Sequence, residues 1–178
     1  MENYHFFWGG PFSNWYPCKF ESGFNCDSNG VISWGKTGGK NPFTQYNCAE
    51  QYMMAQKALI SNDMSAYAEI MASDSPREQK ALGRKIQNFN HVVWDKVKKQ
   101  VVIYGCYAKF AQNDDLKQDL LATGKKILVE ASPNDRIWGI GFSESEALAN
   151  KDMWGENLLG QVLMDVRFYI LDLERILG

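Results

Sequence analysis

Short strands are predicted at the start of the chain, where apolar and aromatic residues occur in brief runs between turn signals. Val, Ile, Tyr, Phe and Trp are enriched in strands, whereas Gly, Pro, Asn and Ser are typical of the turns between them. The predicted strands are YHFFW (4–8), a segment around KF at residue 20, and VISW (31–34), separated by turns at GGP (9–11) and SNG (28–30). This pattern ends at residue 46.

Helices are predicted from Asn47 onward, because apolar residues then recur at steps of three and four. The predicted helices are 47–60, 63–72, 75–86, 91–112, 114–122 and 156–177. The third begins at Ser75-Pro76-Arg77-Glu78, where serine caps, proline takes the first turn and glutamate completes a capping box. One later strand at 127–131 leads into a loop. The pattern predicts an α+β fold, mostly helical: a single compact domain over residues 1–178, with short N-terminal strands and one later strand packed on helices.

The composition fits a packed domain and excludes several classes of protein. The 178 residues are 45% hydrophobic, which argues against disorder. The net charge of -2 gives no general attraction to nucleic acid or to an anionic membrane, so a phosphorylated ligand needs a local basic pocket. Two histidines and four separated cysteines predict no metal site. Without a secretory signal or an apolar run of about 18 residues, a cytoplasmic protein with no membrane partner is expected.

Glu50 and Lys57 are the two charged residues of the segment NCAEQYMMAQKALI (47–60). On a helix they leave the same face, about 10 Å apart along its axis. If Asn47 caps this helix, Glu50 takes the third helical position, which is capping-box spacing. Two interpretations stay open at this point. The pair is either a cap and a solvated lysine, or the two working groups of an active site at the edge of the core.

The loop PNDRIWGIGF (133–142) follows the later strand and carries residues that can bind a ligand. Trp138 can stack on a planar base, and Asp135 can accept hydrogen bonds from a ribose or a base. Gly139 and its neighbour Gly141 indicate close backbone approach, but they do not form a dinucleotide-binding fingerprint. An ordinary turn whose tryptophan fills the core explains the same residues.

The start of the last helix, WGENLLGQ (154–161), is a third candidate site. The first N–H groups of a helix lack intrahelical partners and suit a phosphate or a carboxylate. The alternative is that Asn157 only caps the helix and that Gly160 only lets two elements touch. Arg84 and Lys85 are candidate charges for an acidic substrate, although cations are common in the last turn of any helix.

Taken together, these segments resemble the NADAR family. Each is a weak signal alone, but six in the same order over nearly the whole chain are specific. The matching segments are PFSNWYP (11–17), AEQYMMAQKA (49–58), ALGR (81–84), VVWDKVKKQVV (92–102), KFAQNDDLKQDLLATGKKILVEASPNDRIWGIG (109–141) and WGENLLGQVLMDVR (154–167). The resemblance implies an enzyme that cleaves the N-glycosidic bond between a ribose carbon and a base-like nitrogen.

The resemblance also implies roles for single residues. Glu50 and Lys57 match the family's most characteristic helix and are expected to be catalytic, glutamate as base or proton shuttle and lysine as nucleophile or phosphate contact. Trp138 is expected to stack the base, and the helix start with Arg84 to hold phosphate. No metal or other cofactor is required. The residues expected to bind substrate are Asn14, Gln56, Arg84, Trp94, Asp135, Trp138, Gly139, Asn157 and Gly160.

The substrate that the resemblance favours is ADP-ribosylated guanine, in a nucleotide or in DNA or RNA. Some members have a histidine where this chain has Gln51, and some have an aspartate where it has Ile140. The second group includes members that look like the riboflavin enzymes. Two alternatives are hydrolysis of phosphorylated ribosylamino-pyrimidine intermediates of flavin synthesis, and a module that binds ADP-ribose or a nucleotide without cleaving it.

Overall fold

The computed structural model describes residues 3–35 and 43–177. Contacts divide the chain into two units, one formed by Asn14–Asn113 and the other by Met1–Ser13 with Asp114–Gly178. Helices predominate and the strands are short, so the predicted α+β class is confirmed. The expectation that residues 1–178 form one domain stays a prediction.

Six strands and seven α-helices follow one another in the described part of the chain. In order they are β1 Tyr4–Phe7, β2 Phe20–Ser22, β3 Phe24–Cys26, β4 Ile32–Trp34, β5 Thr44–Tyr46, α1 Ala49–Ile60, α2 Met64–Ala72, α3 Pro76–Gly83, α4 His91–Ala111, α5 Asp114–Ala122, β6 Ile127–Glu130, α6 Glu144–Ala147 and α7 Leu158–Leu177. Two 3-10 helices, Gly10–Phe12 and Leu148–Met153, lie between them.

Helix α1 is the centre of the unit Asn14–Asn113. It packs against α2, α3 and α4 and against strands β3 and β5, and eleven of its twelve residues are buried. A helix surrounded in this way is apolar or hydrogen-bonded on every side. The exception is Lys57, which is half-buried. Helix α3 lies so close to α1 that a Cβ at Gly83 would overlap with the side chain of Met54.

Two antiparallel strand pairs complete this unit. Strand β2 pairs with β5, and β3 pairs with β4 through a turn at the predicted SNG segment. The ring of Phe24 stacks on Tyr104 of α4 at 4.2 Å between centroids and meets Trp34 of β4 edge-on at 4.7 Å. The β3–β4 hairpin is therefore attached to the helices by aromatic contacts.

The other unit is built on one parallel strand pair, β1 with β6, which aligns Tyr4 with Ile127. Its buried cluster consists of Val129, Ile140 and Ala147, with partly buried hydrophobic residues packed around it. Helix α7 packs along β6. The predicted later strand packed on a helix is thus β6 on α7.

Helix α7 approaches β6 very closely at its first turn. A Cβ at Gly160 would overlap with the carbonyl oxygen of Leu128 and with the amide of Asn157. That amide spans the gap, since Asn157 Nδ2 donates to the Leu128 carbonyl oxygen at 2.9 Å and its Oδ1 accepts from the Glu130 N–H at 2.9 Å. Gly160 therefore permits this helix–strand contact.

Gly160→Ala is expected to lower the free energy of unfolding by about 1–3 kcal/mol, because the added methyl group must push α7 away from β6. Urea unfolding followed by circular dichroism measures the change. Phe168→Ala is the control, because Phe168 lies on the same helix and is 63% exposed, and it should change stability by less than about 0.5 kcal/mol. A Gly160→Ala protein as stable as the wild type would contradict this account of the contact.

The helices were predicted well where both ends carry cap or turn signals. Helices α2, α4 and α5 begin and end within one residue of the predicted bounds, and Asp63, Ser75 and Asn90 cap α2, α3 and α4 with their side chains. The predicted extension of α3 to residue 86 is wrong, because the helix ends at Gly83 and Arg84 follows as its C-cap.

The strands were predicted less completely. Strands β1, β4 and β6 lie within predicted segments, and β2 lies at the predicted KF segment. Strands β3 and β5 were missed, and each is defined by its pairing with β4 or β2. The short helix α6 was also missed. The predicted turn at residues 9–11 contains the first residues of a 3-10 helix.

The last turns of α7 differ from the predicted amphipathic pattern. The stripe is buried from Leu159 to Ile170, but Leu173 is 43% exposed and Ile176 is 68% exposed. Within the described ranges, no helix has the length and apolar character needed to cross a membrane.

Candidate active site

The ammonium group of Lys57 lies among aromatic rings at the end of α3. Its Nζ donates a 3.1 Å hydrogen bond to the carbonyl oxygen of Gly83. The same atom lies 4.5 Å from the ring centroid of Phe89 and 5.8 Å from that of Trp94. The amine is thus held by α3, by the loop that follows it, and by the first turn of α4.

The pKa of Lys57 is lower than its ordinary value of 10.5. Burial is the largest cause, because it disfavours the charged ammonium form. The carboxylate of Glu50 acts in the opposite direction and raises the pKa, whereas the positive charges of Arg84 and Lys80 lower it further. A lysine with a lowered pKa has more of the neutral amine that can act as a nucleophile.

The predicted cap of α1 is wrong in detail, and the difference concerns Glu50. Cys48, not Asn47, is the N-cap, and its Sγ accepts the hydrogen bond from the Gln51 N–H at 3.4 Å. Gln51 completes the cap, because its Oε1 accepts from the Asn47 N–H at 2.9 Å. Burial raises the pKa of the Cys48 thiol to about 11, so it caps as a neutral group. The capping-box position therefore belongs to Gln51, and the cap does not explain the presence of Glu50.

Glu50 lies in the first turn of α1 and is 2% exposed. Its backbone N–H donates to the carbonyl oxygen of Asn14 at 2.9 Å. Asn14 is itself buried, and its Oδ1 accepts a weak hydrogen bond from the Cys106 thiol of α4 at 3.7 Å. These contacts fix the segment before β2 against α1 and α4. Asn14 is therefore close to Glu50, and its role in binding substrate stays a prediction.

Gln56 is fully buried and faces the β3–β4 hairpin. Its Oε1 accepts from the Cys26 N–H at 2.9 Å, and its Nε2 donates to the Phe24 carbonyl oxygen at 3.3 Å. Both ends of the amide are therefore bonded to β3. This geometry gives Gln56 the role of joining α1 to the hairpin.

Trp94 and Arg84 both lie near Lys57. Trp94 is 8% exposed and forms part of the aromatic surroundings of the amine. Arg84 is exposed, and its positive charge lowers the pKa of Lys57. The Phe89 ring lies nearer to the amine than the Trp94 ring does. The sequence did not indicate Phe89, since it lies in the loop between α3 and α4 and no periodic pattern marks it.

The loop after β6 carries three of the predicted residues. Asp135 Oδ1 accepts hydrogen bonds from the N–H groups of Ile137 at 3.0 Å and Trp138 at 2.8 Å, which closes a tight turn. Trp138 is half-buried. Gly139 is buried, and a Cβ there would come within 2.8 Å of the Glu130 carbonyl oxygen. The loop is therefore a compact, internally bonded turn.

The start of α7 does not offer the free N–H groups on which the predicted phosphate site depended. The N–H groups of residues 156–159 donate to the carbonyl oxygens of Arg136, Gly139, Ile137 and Trp138, at distances of 2.8–3.3 Å. Asn157 adopts a left-handed backbone conformation with φ of 52° and bonds to β6 with its side chain. Asn157 and Gly160 thus join α7 to the loop and the strand.

The structure brings three of the predicted residues, Glu50, Arg84 and Trp94, near the amine of a fourth, Lys57. Asn14 is attached to this group through the backbone of Glu50, whereas Gln56 faces the hairpin. The other predicted residues belong to the second unit. Among the residues that the structure describes, no cluster of His, Cys, Asp or Glu has the arrangement of a metal site.

Comparisons with known proteins give this chain several relatives. It is 43% identical over 158 residues to N-glycosidase R617 of Acanthamoeba polyphaga mimivirus, covering 88% of this chain and 85% of the relative. It is 37% identical over 161 residues to Protein irg-1 of Caenorhabditis elegans, covering 88% of this chain and 73% of the relative.

A solved structure is also similar. The NMR structure of the Escherichia coli protein YbiA superimposes with a TM-score of 0.70 at 29% identity, covering 99% of this chain and 89% of YbiA. YbiA of Escherichia coli strain K12 is named an N-glycosidase, as is the mimivirus relative. These names support the expectation of a hydrolase that acts on N-glycosyl bonds.

The sequence model of the NADAR domain matches residues 6–171. This match covers most of the chain, and the relatives above are similar over most of their own length. The chain belongs to the NADAR family.

Proposed function

We propose that this chain is an N-glycosidase that removes ADP-ribose from ADP-ribosylated guanine, in a nucleotide or a nucleic acid. The observation that carries the proposal is the surroundings of Lys57. In a helix that is otherwise buried, one amine lies between aromatic rings with a lowered pKa, seven residues from a buried carboxylate. Binding alone requires neither a lowered lysine pKa nor a buried glutamate.

In the proposed reaction Lys57 attacks the ribose. The neutral amine forms a bond to C1′ while the C1′–N bond to guanine breaks, and the bonding electrons leave with the guanine nitrogen. Glu50 takes a proton from the attacking amine and delivers one to the leaving nitrogen. The ribose ring opens to a Schiff base on Lys57. Water then adds to C1′, releases the sugar and restores the free amine.

A second route uses the same two residues. Water attacks C1′ with Glu50 as the general base, and the carboxylate also stabilises the positive charge that develops on the ribose. Lys57 then only contacts hydroxyl or phosphate oxygens. The lowered pKa of Lys57 supports the first route, because an oxygen contact is stronger with a charged ammonium group.

Ile140 bears on the choice of substrate. It occupies the position after Trp138-Gly139 where some family members have an aspartate, and here it is fully buried in the cluster with Val129 and Ala147. An aspartate at this position would place an acid in an apolar core. The residue that accompanies riboflavin-type members therefore has no counterpart here, which supports ADP-ribosylated guanine over the flavin intermediates.

A side-by-side assay tests the proposal. The protein is incubated with ADP-ribosylated guanosine, with an ADP-ribosylated guanine oligonucleotide and with a phosphorylated ribosylamino-pyrimidine, and released sugar is measured by chromatography. Release of ADP-ribose from the guanine substrates, faster than cleavage of the pyrimidine, is expected. Cleavage of the pyrimidine alone would show the alternative substrate, and tight binding of ADP-ribose without cleavage of any substrate would show a binding module.

A further inference from the structure

A positively charged surface borders the amine of Lys57. It consists of the exposed Trp15 and Arg84 and the half-buried Lys80, and we name it the cationic rim. Lys80 and Arg84 are one helical turn apart at the end of α3, where the Arg84 N–H donates to the Lys80 carbonyl oxygen at 3.2 Å. Side chains four residues apart lie on the same side of a helix. Lys80 Nζ lies 5.7 Å from the ring centroid of Trp15, within the range of a cation–π contact.

The rim is attached to both proposed catalytic residues. Trp15 follows Asn14, whose carbonyl oxygen accepts the N–H of Glu50. Arg84 follows Gly83, whose carbonyl oxygen accepts the hydrogen bond from Lys57. A substrate with its reacting carbon at Lys57 can therefore place its remaining groups on a surface that carries two cations and an indole ring.

The charges of the rim repel the charge of Lys57. Both Lys80 and Arg84 lower the pKa of Lys57, whereas among the same interacting groups only Glu50 raises it. The dipole of α3 favours cations at its last turn. It does not account for an indole ring beside them that is 41% exposed.

We propose that the cationic rim is a subsite for the nucleoside diphosphate part of the substrate, with Lys80 and Arg84 on the phosphate oxygens and Trp15 on the base. The proposal rests on the proposed function and extends it, because it names the residues that select a substrate with a distant base. Arginine and lysine form strong, charge-assisted hydrogen bonds to phosphate. An indole ring stacks on any nucleobase.

The subsite has a consequence for specificity. A ribosyl substrate with only a 5′-phosphate can use Lys80 and Arg84, but it has no second base to stack on Trp15. A nucleoside diphosphate uses all three residues. The contribution of Trp15 therefore distinguishes an ADP-ribosyl substrate from a phosphoribosyl substrate.

Calorimetric titration of the whole chain with ADP-ribose and with ribose 5-phosphate tests the proposal. Lys80→Gln and Arg84→Gln are each expected to weaken ADP-ribose binding about tenfold or more. Trp15→Leu is expected to weaken ADP-ribose binding about tenfold and to change ribose 5-phosphate binding less than about twofold. Lys96→Gln removes one exposed charge from α4 and is expected to leave both affinities unchanged. Thermal unfolding of each variant shows that it is folded.

The outcomes separate this proposal from the proposed function, because binding of a product needs no turnover. If the wild type binds ADP-ribose as described but cleaves no ribosyl substrate, the subsite holds and the proposed function fails. If the wild type cleaves the guanine substrate while all three variants bind ADP-ribose normally, the subsite is overturned and the function holds. Equal losses for both ligands in Trp15→Leu, or no measurable binding of ADP-ribose to the wild type, also overturn the subsite.

Discussion

Lys57→Ala is expected to lower kcat for ADP-ribosylated guanine by about 10⁴-fold or more, the scale on which removal of a covalent nucleophile acts. The substitution should leave the protein folded, because Lys57 is the one residue of α1 that is half-buried and not buried. Steady-state kinetics of ADP-ribose release measures the loss. KM is expected to change little, since the rim and not the amine carries the proposed contacts with the phosphates.

Lys57→Arg is the matched variant, because arginine keeps the positive charge and the cation–π contacts but is not a nucleophile at ordinary pH. It should be about as inactive as Lys57→Ala. Substantial activity in Lys57→Arg would exclude the lysine route and leave water as the nucleophile. Borohydride added during turnover of the wild type should trap the Schiff base, and mass spectrometry should locate the sugar on the peptide that contains Lys57.

The pH dependence of the wild type follows from the same lysine. Below the lowered pKa of Lys57 the amine is protonated and cannot attack, so kcat/KM should rise with pH through a pKa below 10.5. The ascending limb should move to higher pH in Arg84→Gln, because the charge of Arg84 lowers this pKa.

Glu50→Gln is expected to lower kcat by about 10²–10⁴-fold, the range typical of a group that transfers protons in the transition state. Glutamine has nearly the same shape, so the buried first turn of α1 can keep its packing. The substitution also removes the charge that raises the pKa of Lys57. The ascending limb of the pH profile of any residual activity should therefore shift to lower pH, opposite to the shift in Arg84→Gln.

Glu69→Gln provides the control for this change, because Glu69 is an exposed residue of α2 and should retain wild-type kcat. Thermal unfolding of both variants separates lost activity from lost fold. A Glu50→Gln protein with near-normal kcat would remove Glu50 from the mechanism. A pH profile that moves upward would show that the carboxylate does not act on Lys57.

The sequence predicted the elements whose ends are marked by local chemistry. The side chains of Asp63, Ser75 and Asn90 each accept a backbone N–H three residues further along the chain, and the helices begin as expected. The strands β3 and β5 depend on partners elsewhere in the chain, which the local pattern does not reveal. The N-cap is Cys48 and not the predicted Asn47, because a buried thiol can also accept a hydrogen bond from an N–H group. Cysteine is not among the residues preferred at N-caps, so the sequence did not indicate it.

For the candidate site, the spacing of Glu50 and Lys57 showed that they share a helix face, but not which groups surround them. The surroundings of the amine include the carbonyl oxygen of Gly83, the last residue of α3, and the ring of Phe89 in the loop that follows. The role of Asn157 was hidden for a similar reason. Its bonds to Leu128 and Glu130 arise only when α7 meets β6.

Because α1 is buried, substitutions inside this helix and substitutions at the exposed residues of the rim are expected to have different effects on stability. Eleven of the twelve residues of α1 are enclosed, so most substitutions in this helix disturb the core and reduce the amount of folded protein. Trp15 and Arg84 are exposed at the rim and can vary at little cost in stability. Homologues can therefore acquire new substrates through exposed positions such as these while the lysine proposed as the nucleophile stays in the same helix.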